Sequence, residues 1–359
     1  MGLDNPVHCQ EDDTYYMSFK TNYFDSAFAM SKPDESLVNT IRSKIQAWVT
    51  STWLADLLVL FGGDITLQGN LDEILDHLET FSDRWDFRRI ARERGVPTDD
   101  TLRGGLGSAR WLSASTGLSK DRETRIIDDA KHLGLVCAQE PTRSAYDYIV
   151  VLGGARLSCK LRPLLAAEMM RRGVRADTVA LLGAARPVAD SERDATDTYA
   201  PGAADEFDLI VAGAQQAFGF DTSPMHEERH DDTANRSWVV RRRKAAFDGQ
   251  SLDIVAVSAP SSDPLRRANS ADTILFFLDH EGIRTGSSLL LITSQIYVPY
   301  VQLEALRTVA IPRNLLVETI GFPSNRMPAL QGLSNANHYL QEIRSAIQAA
   351  RRFCKAYPE

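Results

Sequence analysis

The residues best equipped for ligand chemistry sit where short apolar runs end. YIVVL is followed by Gly153-Gly154-Ala155-Arg156, and TVALL by Gly183-Ala184-Ala185-Arg186-Pro187. Glycine lets backbone amides come close to a ligand, and a helix starting there offers unpaired N–H groups to an anion. A tight strand-to-helix turn explains two glycines equally well, but an arginine in both turns adds guanidinium forks that pair with carboxylate or phosphate. A third run, DIVAVS, opens into a long polar connection holding Ser261, Ser262, Arg266, Arg267, Asn269 and Asp272. These side chains could cradle a polar ligand; Asn269 or Ser270 with Asp272 also fit a helix N-cap and its first turn. The fourth run, SLLLIT, ends in Thr293-Ser294-Gln295-Ile296-Tyr297-Val298-Pro299-Tyr300, dense in donors and acceptors. Spacing places no histidine beside a serine, so no nucleophile–base pair is assigned.

A rival motif lies between the second and third runs. His226-Glu227-Glu228-Arg229-His230 matches H-E-x-x-H, in which two histidines one helical turn apart bind zinc and the glutamate acts as base. Its surroundings, TSPMHEERHDDTANRS, are polar all round and follow Pro224, which favours a solvated acidic loop over a zinc helix. The Arg241-Arg242-Arg243-Lys244 cluster that follows reads as a solvated face.

The elements that position these residues fall into two parts. Residues 1–140 read as mainly helical: DESLVNTIRSKIQAWVTSTWLADLLVLFG, NLDEILDHLETFSDRWDFRRIARERG and KDRETRIIDDAKHLGLV repeat apolar residues at helical spacing, the second ending on Gly95. Trp48, Trp53, Trp85 and Trp111 lie here and read as core. In residues 141–359 apolar runs alternate with helical patterns, giving five strands at 148–152, 178–182, 253–258, 288–293 and 314–320. The runs are rich in Val, Ile and Leu without polar alternation, as strands covered by helices on both faces must be. This predicts a Rossmann-like, doubly wound, mostly parallel sheet, interrupted by a polar spacer over about 190–250.

Charge divides at the same place. Residues 1–140 carry 15 basic and 23 acidic side chains, and the remainder 25 of each, so the whole net charge of −8 belongs to the helical part. Neither part has the basic excess of a nucleic-acid binder. MGLDNPVHCQEDD lacks a secretory pattern, Pro6 spoils a myristoylation motif, and WLADLLVLFG is too short to span a bilayer. A cytoplasmic protein without membrane insertion is expected. Cys9, Cys137, Cys159 and Cys354 are widely scattered and read as small buried hydrophobes.

The order of IVVLGG, VALLGAAR, the Ser/Asn-rich loop with Asn269-Ser270-Ala271-Asp272-Thr273, and LLLITSQIYVPY resembles the SanA/YdcF family, a domain of unknown function. The resemblance covers about residues 146–350 and rests on Gly153-Gly154, Gly183-Ala184, Asn269–Thr273 and Thr293-Ser294. Tyr297 and Tyr300 stand where that family usually has His and Arg. The resemblance implies a Rossmann-like fold and roles around the cell envelope, and one member of that family binds S-adenosylmethionine.

The expectation is a protein that holds a small anionic or nucleotide-like ligand, S-adenosylmethionine among the candidates, at the carboxyl ends of the strands. Gly153, Gly154 and Gly183 would allow backbone approach, and Arg156 and Arg186 would pair the anion. Ser261, Ser262, Asn269 and Asp272 would orient the ligand, with Thr293, Ser294, Gln295 and Tyr297 on the opposite wall. Any reaction would be transfer or hydrolysis. The alternatives are a zinc hydrolase using His226, Glu227 and His230, and a non-enzymatic adaptor acting through the acidic helical part.

Overall fold

The computed structural model describes residues 35–64, 69–86, 118–188, 190–221, 223–233, 235–323, 326 and 335–358. The first helical run breaks into α1 (Glu35–Val49) and α2 (Thr52–Leu60), because Ser51 takes extended backbone and its hydroxyl accepts from the Leu54 N–H. α3 (Leu71–Ser82) starts on a reciprocal capping box between Asn70 and Glu73, and α4 (Lys120–His132) on Ser119. Trp48 and Trp85 are buried, and Trp53 stacks on His132 with ring centroids 3.7 Å apart. Trp111, Gly95 with the loop after it, and Cys9 lie outside the described residues. Cys159 and Cys354 are buried free thiols, as the plain reading expects, whereas Cys137 departs from it in being disulfide-bonded.

From Tyr148 onward the alternation of apolar runs and helical patterns becomes β1 (Tyr148–Leu152), α5 (Arg156–Arg171), β2 (Thr178–Gly183), a short α6 (Arg193–Asp197) and α7 (Glu206–Phe218). Then come β3 (His226–His230), β4 (Trp238–Phe247), β5 (Gln250–Ser258), α8 (Ser270–His280) and β6 (Ser288–Ser294). α9 (Val298–Ala305) runs on through a π-helical turn at Leu306–Ala310; β7 (Leu316–Phe322) and α10 (Ala336–Ala356) close the chain.

Among the described residues the sheet has seven strands where five are predicted, in the order β3-β4-β5-β2-β1-β6-β7. The five predicted strands are the parallel ones. The two extra strands form a hairpin that adds antiparallel to the edge of β5, with Val239 opposite Ser258 and Phe247 opposite Gln250. They escape prediction because they are charged. The Arg241-Arg242-Arg243-Lys244 cluster is strand β4, where alternate arginines leave by opposite faces. Each finds acids there: Arg241 meets Asp208 and Glu227, Arg242 meets Glu228 and Glu281, and Arg243 meets Asp221. The spacer is therefore not a solvated loop: it carries the helices α6 and α7 and the strands β3 and β4.

The same strand overturns the zinc reading. A helix brings residues four apart to within about 6 Å along its axis. An extended strand separates them by about 13 Å and turns the intervening residue to the other face. His226 and His230 are the two ends of β3, and Glu227, facing away from both, accepts from Arg241 Nε at 2.8 Å.

Successive residues of the parallel strands enter different cores. Ile149, Val151, Val179, Leu181, Leu290 and Ile292 pack with α5 and α7. Val150, Leu152, Ala180, Leu182, Leu289 and Leu291 share the opposite core with α8, α9, α10 and the helices α1 to α4. Both faces are covered, which explains the unbroken apolar runs. The helical part is joined to the sheet through α10: Arg42 of α1 reaches across to donate to the Tyr357 carbonyl at the end of that helix, 3.0 Å away. No helix among the described residues is long and apolar enough to cross a membrane.

Candidate functional site

Strand order reverses between β1 and β6, the place where a doubly wound sheet opens a crevice at its carboxyl edge. Here the crevice is filled by a side chain of the protein. Arg162, on α5 and 4% exposed, donates from Nη1 to the carbonyls of Leu152 (2.8 Å) and Gly153, and from Nε to the Ser294 hydroxyl at 3.2 Å. Its guanidinium also lies over the Tyr297 ring, 5.9 Å from the centroid. One planar fork thus ties the ends of β1 and β6 together.

On the β1–β2 side the β1–α5 turn comes very close to β2. The Gly153 N–H donates to the Leu182 carbonyl at 2.6 Å, and a Cβ on Gly153 would overlap both that oxygen and Glu206 Oε1. α5 then begins on Ala155, which supplies no side-chain cap, and has no acid in its first turn. Its first N–H groups are left to other partners. Arg156 is the first residue of that helix; its Nε is buried with no hydrogen-bond partner, and no acid pairs with it among the described residues. The Arg156 carbonyl accepts from the Tyr199 hydroxyl at 3.1 Å, which anchors the backbone there.

Glu206, the first residue of α7 and 9% exposed, supplies the negative charge of the site. Its Oε2 lies 3.2 Å from Arg186 Nε. Burial pushes its carboxyl above the usual range, opposed by the fields of Arg186, Arg162 and the exposed Arg267. Three arginines therefore act on one carboxylate. Cys159, the nearest thiol, is no nucleophile: burial pushes it up to about 12, and its Sγ is 3.2 Å from the Gly154 carbonyl.

The structure brings Gly153, Gly154, Arg186, Ser294 and Tyr297 together around Arg162 and Glu206, and Arg156 follows the glycine turn as the first residue of α5. It gives other predicted residues different work. The missing Cβ of Gly183 makes room for the backbone of Phe207 in α7. Asn269 and Asp272 form the capping box of α8; Asp272 also pairs with Arg266, which donates to the Ser262 hydroxyl at 2.8 Å. Ser261, 1% exposed, pins its own loop: its N–H donates to the Asn235 carbonyl and its hydroxyl accepts from the Asp263 N–H. Thr293 is buried, and Gln295 leaves the crevice to donate to the Gly134 carbonyl at 2.8 Å. The sequence reading missed Arg162 and Glu206. Arg162 had a signal, because it interrupts the buried stripe Cys159, Pro163, Ala166 of α5. Glu206 had none, since acids at a helix start are ordinary.

Residues 32–134 match the family described as Rv3785 N-terminal domain. The uncharacterized protein Rv3785 of Mycobacterium tuberculosis is 35% identical over 326 residues, covering 89% of this chain and 91% of the relative. The uncharacterized protein Mb3814 of Mycobacterium bovis matches to the same extent. No solved structure matches the chain. These findings replace the SanA/YdcF resemblance. What carried it were a glycine turn forced by a close strand approach and a helix capping box, devices that any doubly wound sheet can use. By the extent of these matches, the chain belongs to the Rv3785 family.

Proposed function

We propose that this protein binds a small anionic ligand at the carboxyl ends of β1 and β2, between the Gly153-Gly154 turn, Arg156 and Arg186. The observation that carries the reading is Arg156. This side chain is only partly buried, pairs with no acid among the described residues and opens a helix that has no side-chain cap, which leaves its guanidinium to an anion from outside. Arg162, Arg186 and Arg267 all act on Glu206 at the same strand ends, so positive charge there exceeds the one carboxylate. A nucleotide-like ligand falls within this class. S-adenosylmethionine fits the site less well, because its sulfonium cation would face the arginines at these strand ends.

Thermal unfolding in rising inorganic phosphate or pyrophosphate tests the reading. A ligand at one hundred times its Kd stabilises the native state by about 2.7 kcal/mol. The expected result is a rise in Tm for the wild-type protein that Arg156→Ala abolishes. Equal shifts in both proteins, or none in either, would refute the assignment.

A further inference from the structure

Glu206 is placed in a way that helix capping does not explain. Asp205 already caps α7, its Oδ1 accepting from the Asp208 N–H at 3.0 Å. An acid in the first turn needs only the field of the helix end, which it can enjoy in solvent. Glu206 instead turns inward beneath the β1–α5 turn, its Oε1 occupying the space a side chain at 153 would take. Its side chain keeps 11% of its surface exposed, so it is reachable from the site.

A carboxylate is acceptor-only, with about four lone-pair positions on its two oxygens. Arg186 takes one through Nε and the Ala184 backbone N–H a second, which leaves positions for a ligand donor. Beside an anion site this group repels the anion itself and attracts a neighbouring O–H or N–H. Ammonium donors are disfavoured, because Arg162, Arg186 and Arg267 all place positive charge around the carboxylate. Neutral hydroxyls suit the position best. Resting on the anion reading above, we infer that the ligand is a phosphorylated polyol of the sugar-phosphate or ribonucleotide kind. Its phosphate meets Arg156, and a hydroxyl close to that phosphate donates to Glu206.

Titration calorimetry of the full chain with three probes tests this: inorganic phosphate, glycerol 3-phosphate, and propyl phosphate, which has the same carbon skeleton without hydroxyls. The wild-type protein is expected to bind glycerol 3-phosphate at least about tenfold more tightly than propyl phosphate, the size of one hydrogen bond to a charged group. Glu206→Gln, which can donate as well as accept, is expected to shrink that ratio toward one, while inorganic phosphate, relieved of the carboxylate's repulsion, binds more tightly than to the wild-type protein. Equal binding of the two organic probes by the wild-type protein overturns the inference and leaves the anion site standing; this comparison needs no variant. A ratio unchanged in Glu206→Gln also overturns it. Failure of all three probes removes both the inference and the anion reading.

Discussion

Gly213 of α7 packs against the carbonyl oxygen of Cys159 in α5, and a Cβ at 213 would overlap that oxygen. The usual donor to this carbonyl is the N–H of residue 163, which proline does not have. Two irregularities therefore fit one another: a carbonyl without its helical donor, and a glycine that lets the neighbouring helix close over it. The tight α5–α7 crossing sets the height of Arg156 and Glu206 at the strand ends.

Gly213→Ala is expected to destabilise the fold. Alanine gains about 1 kcal/mol in helix propensity. The overlap is with backbone, which cannot rotate away, and overpacking of this kind costs about 1–3 kcal/mol. Gly213→Val should cost more. Urea midpoints with unchanged m-values check this, and an alanine variant as stable as wild type would contradict it.

Arg162→Met should cost about 3 kcal/mol, because the buried Leu152 carbonyl, the part-buried Gly153 carbonyl and the Ser294 hydroxyl lose their donor. Arg162→Lys should recover little, since one ammonium cannot reproduce the fork across β1 and β6. Hydrogen exchange at the ends of those strands would show where the loss falls. Full recovery by lysine would mean that charge alone, not geometry, holds the strands.

Asp129 of α4 carries a pH dependence of known sign. It is 3% exposed with Oδ2 unpartnered, and burial raises its carboxyl to about 7, helped by Asp56 and opposed by Arg125. The folded state thus holds a proton that the unfolded chain, titrating near 3.8, has released. Stability should fall as pH rises from about 4 to about 7 and stay low above that. Asp129→Asn should flatten this slope and raise Tm at pH 8 relative to wild type. A wild-type midpoint that rises steadily over the same interval, with no difference in the variant, would refute the assignment.

Asn269→Ala should cost about 1 kcal/mol through loss of the α8 cap. Asp272→Ala acts on the same box, so the double variant should lose less than the two single losses added together. Asp272 gives a second check. Burial pushes its carboxyl up, but Arg266, Ser262 and the Asn269 N–H outweigh it and hold it near 2, so its stabilisation fades only as pH falls from about 4 toward 2. Strict additivity in the cycle would argue that the two residues cap separately.

The parallel half of the sheet was legible because burial on both faces writes itself as unbroken Val, Ile and Leu, and all five such runs became strands. The β3–β4 hairpin was not, because strand pairing needs only backbone, and its side chains are held by ion pairs that composition cannot distinguish from a solvated loop. For the site, the turn residues Gly153, Gly154, Arg156 and Arg186 could be read from their positions at strand ends. Glu206 could not, because its role depends on which way one side chain turns at a helix start. Asn269 and Asp272 show the converse: residues suited to a ligand are consumed by the helix they begin.

The outermost strand has one more consequence. Among the described residues β3 has a partner on one side only, so its other row of backbone N–H and C=O groups is an edge able to template another chain. The residues along it are His226, Glu227, Glu228, Arg229 and His230. A second molecule aligning there would have to strip water from that charge before forming a single ladder bond. The letters that spell a metalloprotease signature serve here as a terminator, stopping the sheet from polymerising through this edge when the protein is concentrated.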